Sequence, residues 1–306
     1  MNTKSAFIAI VGRPNVGKSS LINKIIKQKI AIVSDKPQTT RTRIMGVKTL
    51  GNAQYIFVDT PGFHKPRNIL GENMIKAVGN GLSDVDGVML VVEAKSKFEF
   101  NPENLPAAEI ELIKEIKKRK LPAILVINKI DLLEDKSEML KVISAYSSLA
   151  DFESVIPVSA RNGDGMDIIL SECQKWLKSS VHYFDSEDVT DQNEESMVAE
   201  MIREKLLRSL DREVPHGIAV DIERMFERDM SDGSPILEVE ATIYCEKESH
   251  KGIVIGKGGE MLKKIGSAAR VDIERFYGIK ASVKLWVKVK EDWRNRAGVI
   301  HGFGLD

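Results

Sequence analysis

The sequence predicts an α/β first half built on a doubly wound, mostly parallel sheet, followed by a smaller α+β domain. Three observations carry this. Continuous apolar runs alternate with helical periodicity from about residue 6 to 178. A glycine-rich loop joins the first apolar run to the first helical one. After an acidic stretch, the apolar pattern changes to period two, the mark of strands covered on one face only.

The first run, Ala6 to Val11, reads as a buried strand. Gly12-Arg13-Pro14-Asn15-Val16-Gly17-Lys18-Ser19 follows and fits G-x-x-x-x-G-K-[ST] at every fixed position. Ser20 to Ile26 then has helical spacing. Strand, glycine loop and helix are the context this phosphate-binding loop requires. Gly12 and Gly17 let consecutive N–H groups of the loop, including those of Asn15, Val16 and Ser20, face one centre. The positive end of the helix adds to that field. Lys18 supplies a point charge for the terminal phosphates, and Ser19 a hydroxyl for Mg²⁺. Gln54–Val58, Gly87–Val92, Pro122–Ile127 and Ser154–Val158 read as further strands. Helices are expected over Ala107–Lys120 and Ser137–Leu149.

Three strand ends complete a nucleotide site. Asp59-Thr60-Pro61-Gly62 closes a strand: the carboxylate suits Mg²⁺, and Gly62 brings a backbone N–H to a γ-phosphate. Asn128-Lys129-Ile130-Asp131 follows an apolar strand. A carboxylate there pairs with the N1–H and 2-amino group of guanine, donors that adenine lacks. The Lys129 stem lies along the base, and Ser159-Ala160 offers a backbone N–H to the guanine oxygen. A Thr/Arg-rich loop, Pro37 to Thr42, has no strand pattern, and its residues alone do not choose between Thr39, Thr40 and Thr42 as a second metal-binding hydroxyl.

Six acidic residues fall within 185–195 and no basic one, so residues 179–196 read as a solvated acidic linker between domains 1–178 and 197–306. The second domain runs helix, strand, strand, helix, loop, helix, strand. Its loop, Gly256-Lys257-Gly258-Gly259, fits G-x-x-G between packed helices, with Lys263 and Lys264 one turn on. That is the clamp by which KH domains hold about four nucleotides. Residues 196–248 hold 7 basic and 13 acidic side chains, whereas 249–306 hold 12 and 6, an electrostatic footprint for phosphate around the loop. The last strand alternates strictly, with Lys284, Trp286, Lys288 and Lys290 on one face. That face is read as a solvated one with Trp286 covering the other domain, against base stacking as the rival; Trp293, Arg294 and Arg296 in the C-terminal tail are left open between the same two readings. Helix 197–210 is expected to be core.

The whole chain is 306 residues with 45 basic and 45 acidic side chains, so net charge selects no partner. Two cysteines, each on an apolar face, suit a reducing compartment. No run of 18 apolar residues appears, so nothing is expected to span a membrane.

In combination these motifs resemble the Era family of GTPases over almost the whole length: Asn15 in the loop, Pro37-Gln38-Thr39-Thr40-Arg41, Asp59-Thr60-Pro61-Gly62 and the terminal G-x-x-G module. The resemblance implies a P-loop GTPase sheet followed by a type II KH domain, and a cytoplasmic, monomeric protein that hydrolyses GTP slowly with Mg²⁺. It makes Gln38–Thr42 the first switch, assigns the second magnesium hydroxyl to Thr40, and names Lys18, Thr40 and Gly62 as the catalytic set. It implies a role for K⁺ near Asn15, because Phe63 stands where many signalling GTPases carry a water-orienting glutamine. It implies as partner the 3′ end of small-subunit ribosomal RNA during assembly of that subunit, with membrane contact limited to a peripheral one. The rival within the class, a GTPase partner in tRNA modification, usually carries a terminal cysteine and a helical insert; this chain ends Phe303-Gly304-Leu305-Asp306.

Overall fold

The structure is a computed structural model and describes residues 3–63, 66, 68–94, 104–135 and 137–305. Two compact units divide the chain. The first comprises residues 1–31, 40–65 and 74–191; the second comprises 32–39, 66–73 and 192–306.

The first unit is a seven-stranded sheet. Its central path runs β2 (Ile44–Leu50), β3 (Ala53–Asp59), β1 (Lys4–Val11), β4 (Gly87–Glu93), β5 (Ala123–Asn128) and β6 (Ser154–Pro157). β1, β3, β4, β5 and β6 are parallel, and β2 runs antiparallel along the edge beside β3. The continuous apolar runs become strands buried on both faces: β4 and β5 expose almost nothing. Helices α1 (Lys18–Ile26) and α5 (Met166–Cys173) share one core with one sheet face. Helices α3 (Ala107–Arg119) and α4 (Ser137–Ser147), with part of α2 (Ile69–Gly81), share the other. β2 and α2 lie where the sequence shows no clear period. β2 carries Gly46 and Lys48 within it and is held by its antiparallel ladder rather than by an apolar pattern.

The acidic stretch differs from a free linker. β7 (Lys178–Ser179) pairs antiparallel with the start of β1. The Gln54 side chain holds the backbone of Tyr183 and Phe184. The Val47 N–H donates to Val189 O, and the Asp191 carboxylate accepts from the Met45 N–H, both at 2.9 Å. Negative charge marks a solvated face here, while the backbone beneath it extends the sheet's edge.

The second unit has α6 (Glu194–Ser209), β8 (Ala219–Asp229), β9 (Pro235–Cys245), α7 (Glu248–Ile255), α8 (Glu260–Tyr277), β10 (Lys280–Val289) and α9 (Ala297–Gly302). Its sheet order is β10-β9-β8, with β9 antiparallel to β8 and parallel to β10. This is the expected type II KH order. The period-two faces work as predicted: Leu237, Val239, Ala241 and Ile243 point into one core with Ile202, Leu206, Ile265 and Ile273 from the helices. On the other face of β10 the lysines are paired, Lys284 with Glu240 and Lys288 with Glu223. Trp286 between them is 44 % exposed. Trp293, left open by the sequence, is fully buried; its indole N–H donates to Gly217 O at 2.9 Å and its ring meets Phe303 edge-on.

Helix α6 also departs from a plain core helix. Arg203, Glu204 and Lys205 are three consecutive charged residues, and all are buried. Arg203 and Glu204 hold residues 32–39, which belong to this unit. Arg203 donates to Thr39 O, Glu204 accepts the Val33 N–H at 3.0 Å, and Lys205 reaches Asp272. Each buried charge thereby has a partner, the condition for tolerating it.

Candidate functional site

Parallel strands end together, and their C-terminal ends carry the motif residues. Register pairs Ile10 with Asp59 and Glu93 with Asn128, so the loop after β1, the end of β3 and the end of β5 meet at one edge. Close backbone approach explains two glycines. A Cβ at Gly17 would lie 2.3 Å from Asn128 Nδ2, and one at Gly62 would lie 2.7 Å from Pro14. Gly17 also caps α1 with φ of 98°, a conformation other residues rarely adopt.

Lys18 is buried at the head of α1, and its Nζ donates to Gly12 O at 3.1 Å and Arg13 O at 3.0 Å. Burial pushes its ammonium down to about 8, with Asp59 pulling the other way. Ser19 Oγ lies 2.9 Å from Thr40 Oγ1 and donates to Asp59 Oδ2 at 2.9 Å. Of the threonines in this loop, Thr40 is the one whose hydroxyl lies beside Ser19, whereas Thr39 Oγ1 donates to Lys36 O at 2.6 Å. Asp59 has no exposed surface, and its Oδ1 is buried without a hydrogen-bond partner among the described residues. Burial raises its carboxyl to about 6 against Lys18, Ser19 and Thr40, all of which favour the charged form. Two hydroxyls and an orphaned carboxylate oxygen form the hard-oxygen set that suits Mg²⁺; these residues fit the ion.

Asn128 ties together the other end of the site. Its Nδ2 donates to Val16 O at 2.8 Å and its Oδ1 accepts the Ala160 N–H at 3.0 Å. Asp131, which is exposed, accepts the Ser159 hydroxyl at 2.7 Å. The Ser159 N–H goes to Asp164 O at 3.1 Å. The Ser159 hydroxyl thus meets Asp131 while its own N–H is turned to Asp164, and the Ala160 N–H is held by Asn128. Lys129 Nζ donates to Asn15 O at 2.7 Å and to Glu93. Ser20 sits in the first turn of α1 beside Ser19, half-buried. Phe63 is partly buried against the core shared with α2 and α3, so the residue directly after Gly62 offers no polar side chain.

Sequence reasoning missed the carboxylates behind the loop. Glu109 of α3 is fully buried, accepting Arg13 Nε at 2.5 Å and the Tyr146 hydroxyl. Burial pushes its carboxyl up, against both of those donors. Helical periodicity places position 109 on the inner face of α3 with Leu112 and Ile116; a carboxylate there was the available signal.

In the second unit α7 ends at Gly256, φ of 76°, and a Cβ there would lie 2.7 Å from Met261 Cβ. One tight turn, Lys257–Gly259, leads into α8. Gly258 and Gly259 have φ of 60° and 83°, with open space where a Cβ would stand. Lys257, Lys263 and Lys264 are exposed. Beside the turn lies a groove of about 610 Å³ lined by Gly259, Leu262, Lys263, Arg270, Ser282 and Leu285, among others. A lining that combines apolar side chains with the cations Lys263 and Arg270 suits bases and phosphates together.

Residues 7–129 match the family model described as 50S ribosome-binding GTPase, and residues 213–294 match the KH domain model. The chain is 47 % identical over 305 residues to GTPase Era of Ruminiclostridium cellulolyticum, covering 99 % of this chain and 98 % of that one. It belongs to the Era GTPase family. GTPase Era of Clostridioides difficile is 46 % identical over 99 % of both chains. A crystal structure of Era in complex with MgGDPNP and nucleotides 1506–1542 of 16S ribosomal RNA superposes with a TM-score of 0.91 at 34 % identity, covering 99 % of each chain. A point variant of Aquifex aeolicus Era bound to GDP·AlF4⁻ does so at 0.90 and 33 %, covering 99 % of each chain.

Proposed function

We propose that the chain is a GTP-hydrolysing switch that grips single-stranded RNA, its client being the 3′ end of small-subunit ribosomal RNA during assembly of that subunit. The observation that carries this reading is the cluster of Ser19, Thr40 and the orphaned Asp59 Oδ1 at the mouth of the phosphate loop, on the same chain as a G-x-x-G turn opening onto a groove. In this reading Gly12, Asn15, Val16, Gly17 and Ser20 surround the phosphates and Lys18 charges the site, while Ser19, Thr40 and Asp59 hold Mg²⁺. Asn128, Lys129, Asp131, Ser159 and Ala160 read guanine. Gly256, Lys257, Gly258, Gly259, Lys263 and Lys264 meet the RNA backbone. Bound Mg²⁺ neutralises developing charge on the phosphate oxygens. Thr40 and Gly62 tie the two switch segments to the nucleotide, so hydrolysis releases them.

The relative holding both MgGDPNP and 16S RNA, similar over its full length, supports the client and the nucleotide. Among the described residues no helix is long and apolar enough to cross a membrane. A cytoplasmic monomer with at most peripheral contact at the inner membrane face completes the proposal. Domain bounds of 1–178 and 197–306 with the joining stretch 179–196 form part of it.

Crosslinking to cellular RNA in the presence of a non-hydrolysable GTP analogue or GDP tests the client; recovery of no ribosomal RNA in either state would refute it. Because Phe63 offers no polar atom, we further propose that K⁺ near Asn15 assists hydrolysis. Equal turnover in Na⁺ and K⁺ buffers would count against that.

A further inference from the structure

Behind the motif residues, the phosphate loop is gripped by side chains that no motif names. Arg13 directs Nε at Glu109, and its Nη2 lies 3.6 Å from Glu93 Oε2. Glu93 closes β4, opposite Asn128 on β5. Its other oxygen accepts the Lys129 ammonium, which also donates to Asn15 O at 2.7 Å. One carboxylate therefore joins a cation of the phosphate loop to the lysine of the base-reading segment. On the far side of Arg13, Glu109 is fully buried and takes the Tyr146 hydroxyl.

Such an arrangement is an odd way to gain stability. Apolar residues of similar volume often serve a buried position as well as an ion pair does. What two carboxylates and three donors supply is fixed direction. An unrestrained lysine side chain carries about 2 kcal/mol of rotamer entropy, lost when it is ordered against a ligand. Holding it beforehand removes that cost from binding.

We propose that Glu93 is a positioning residue for guanine-nucleotide binding. It fixes Lys129 so that the aliphatic stem walls the base site, and it fixes Arg13 so that the loop keeps its curvature, with Glu109 and Tyr146 as the buried anchor. This rests on the reading of the site as one for guanosine nucleotides. Glu93 acts through Lys129 and Arg13 and is not assigned a contact with substrate.

The test is a double-mutant cycle in the full-length protein, with GDP as the probe. Glu93→Gln keeps the shape and removes the charge. GDP affinity should fall by about five- to tenfold, mainly through faster dissociation. With GTP, the loss should fall on KM rather than kcat. Once Lys129→Met is present, adding Glu93→Gln should cost less than it does in the wild-type background, because one of its two partners is gone and only Arg13 remains. The Glu93 and Lys129 side chains are 23 % and 31 % exposed, so the gap between wild type and Glu93→Gln should also narrow with salt. Glu93→Gln binding GDP within about twofold of wild type, or penalties that simply add in the cycle, would overturn the role of Glu93 while leaving the site intact. Wild-type protein that binds no guanosine nucleotide would overturn the site itself and this role with it.

Discussion

Asn128→Asp is a near-isosteric change at the residue that holds three motifs together. Asn128 is 2 % exposed, donates to Val16 O at 2.8 Å and accepts from the Ala160 N–H at 3.0 Å. A carboxylate keeps the second bond and breaks the first, since two acceptors then face each other. Leaving such buried groups unpaired costs about 1–3 kcal/mol each. The molecule has one escape, which is to protonate the new carboxyl so that it donates to Val16 O. Raising a carboxyl from about 3.9 to 7 costs about 4 kcal/mol, which caps the penalty at neutral pH. We therefore expect GDP affinity to fall by roughly 30- to 1,000-fold at pH 7, matching about 2–4 kcal/mol. The sign of the pH dependence follows from which form fits. The protonated form is the competent one and its pKa is raised, so lowering pH restores binding. Where protonation is the escape, the gap to wild type should close by up to about tenfold per pH unit. Asn128→Ala loses both bonds and gains no titrating group, so its deficit should stay flat with pH. The assay is titration of a fluorescent GDP analogue from pH 5.5 to 8 for wild type and both variants, with thermal melting alongside. A loss below about threefold at pH 7.5, or identical pH profiles for the two variants, would refute the argument.

Asp131→Asn should weaken GDP binding by on the order of 100-fold, since two hydrogen bonds to a charged acceptor are lost. It should favour xanthosine nucleotides, whose C2 carbonyl accepts from the new amide; unchanged nucleotide preference in competition binding would contradict the role. Gly258→Asp should fold, because open space surrounds the position and aspartate tolerates φ near 60°. It should weaken RNA binding while leaving GDP affinity unaltered, and normal RNA affinity by filter binding would remove the clamp assignment. Wild-type RNA affinity should also fall by about 0.7 log units per phosphate contact for each tenfold rise in salt. Trp293→Ala should destabilise the second unit by about 3–5 kcal/mol, seen in denaturant melts, because a fully buried ring and its bond to Gly217 O are both removed. A loss under about 1 kcal/mol would mean that the C-terminal turn does not pack as a closed part of the core.

What the sequence revealed and what it concealed divide along the range of the interactions. The phosphate loop, the Asp59 and Asn128 strand ends and the G-x-x-G turn are local: backbone geometry and chemistry are written within a few consecutive residues, so spacing exposes them. Continuous against alternating apolar runs told the parallel sheet from the half-open one for the same reason. The choice of Thr40 over Thr39 depends on which hydroxyl a loop turns toward Ser19, twenty-one positions away, and no pattern near Pro37 encodes it. Glu109 lies ninety-six positions from Arg13, on a helix whose inner face otherwise reads as plain core. The acidic stretch misled because composition reports the solvated side chains while the backbone makes the ladder contacts to β1 and β2. Arg203, Glu204 and Lys205 carry the same lesson in reverse. Consecutive charges normally mark a solvated helix face, yet here each is buried against a partner on residues 32–39, the same helix or α8. A charge is legible as surface only while its partner is water; where the partner is a distant carbonyl or carboxylate, the one sequence signal left is a polar residue at a position periodicity assigns to the interior. Glu109 and Glu204 both meet that criterion: the first fastens Arg13 of the phosphate loop, the second the backbone at Val33.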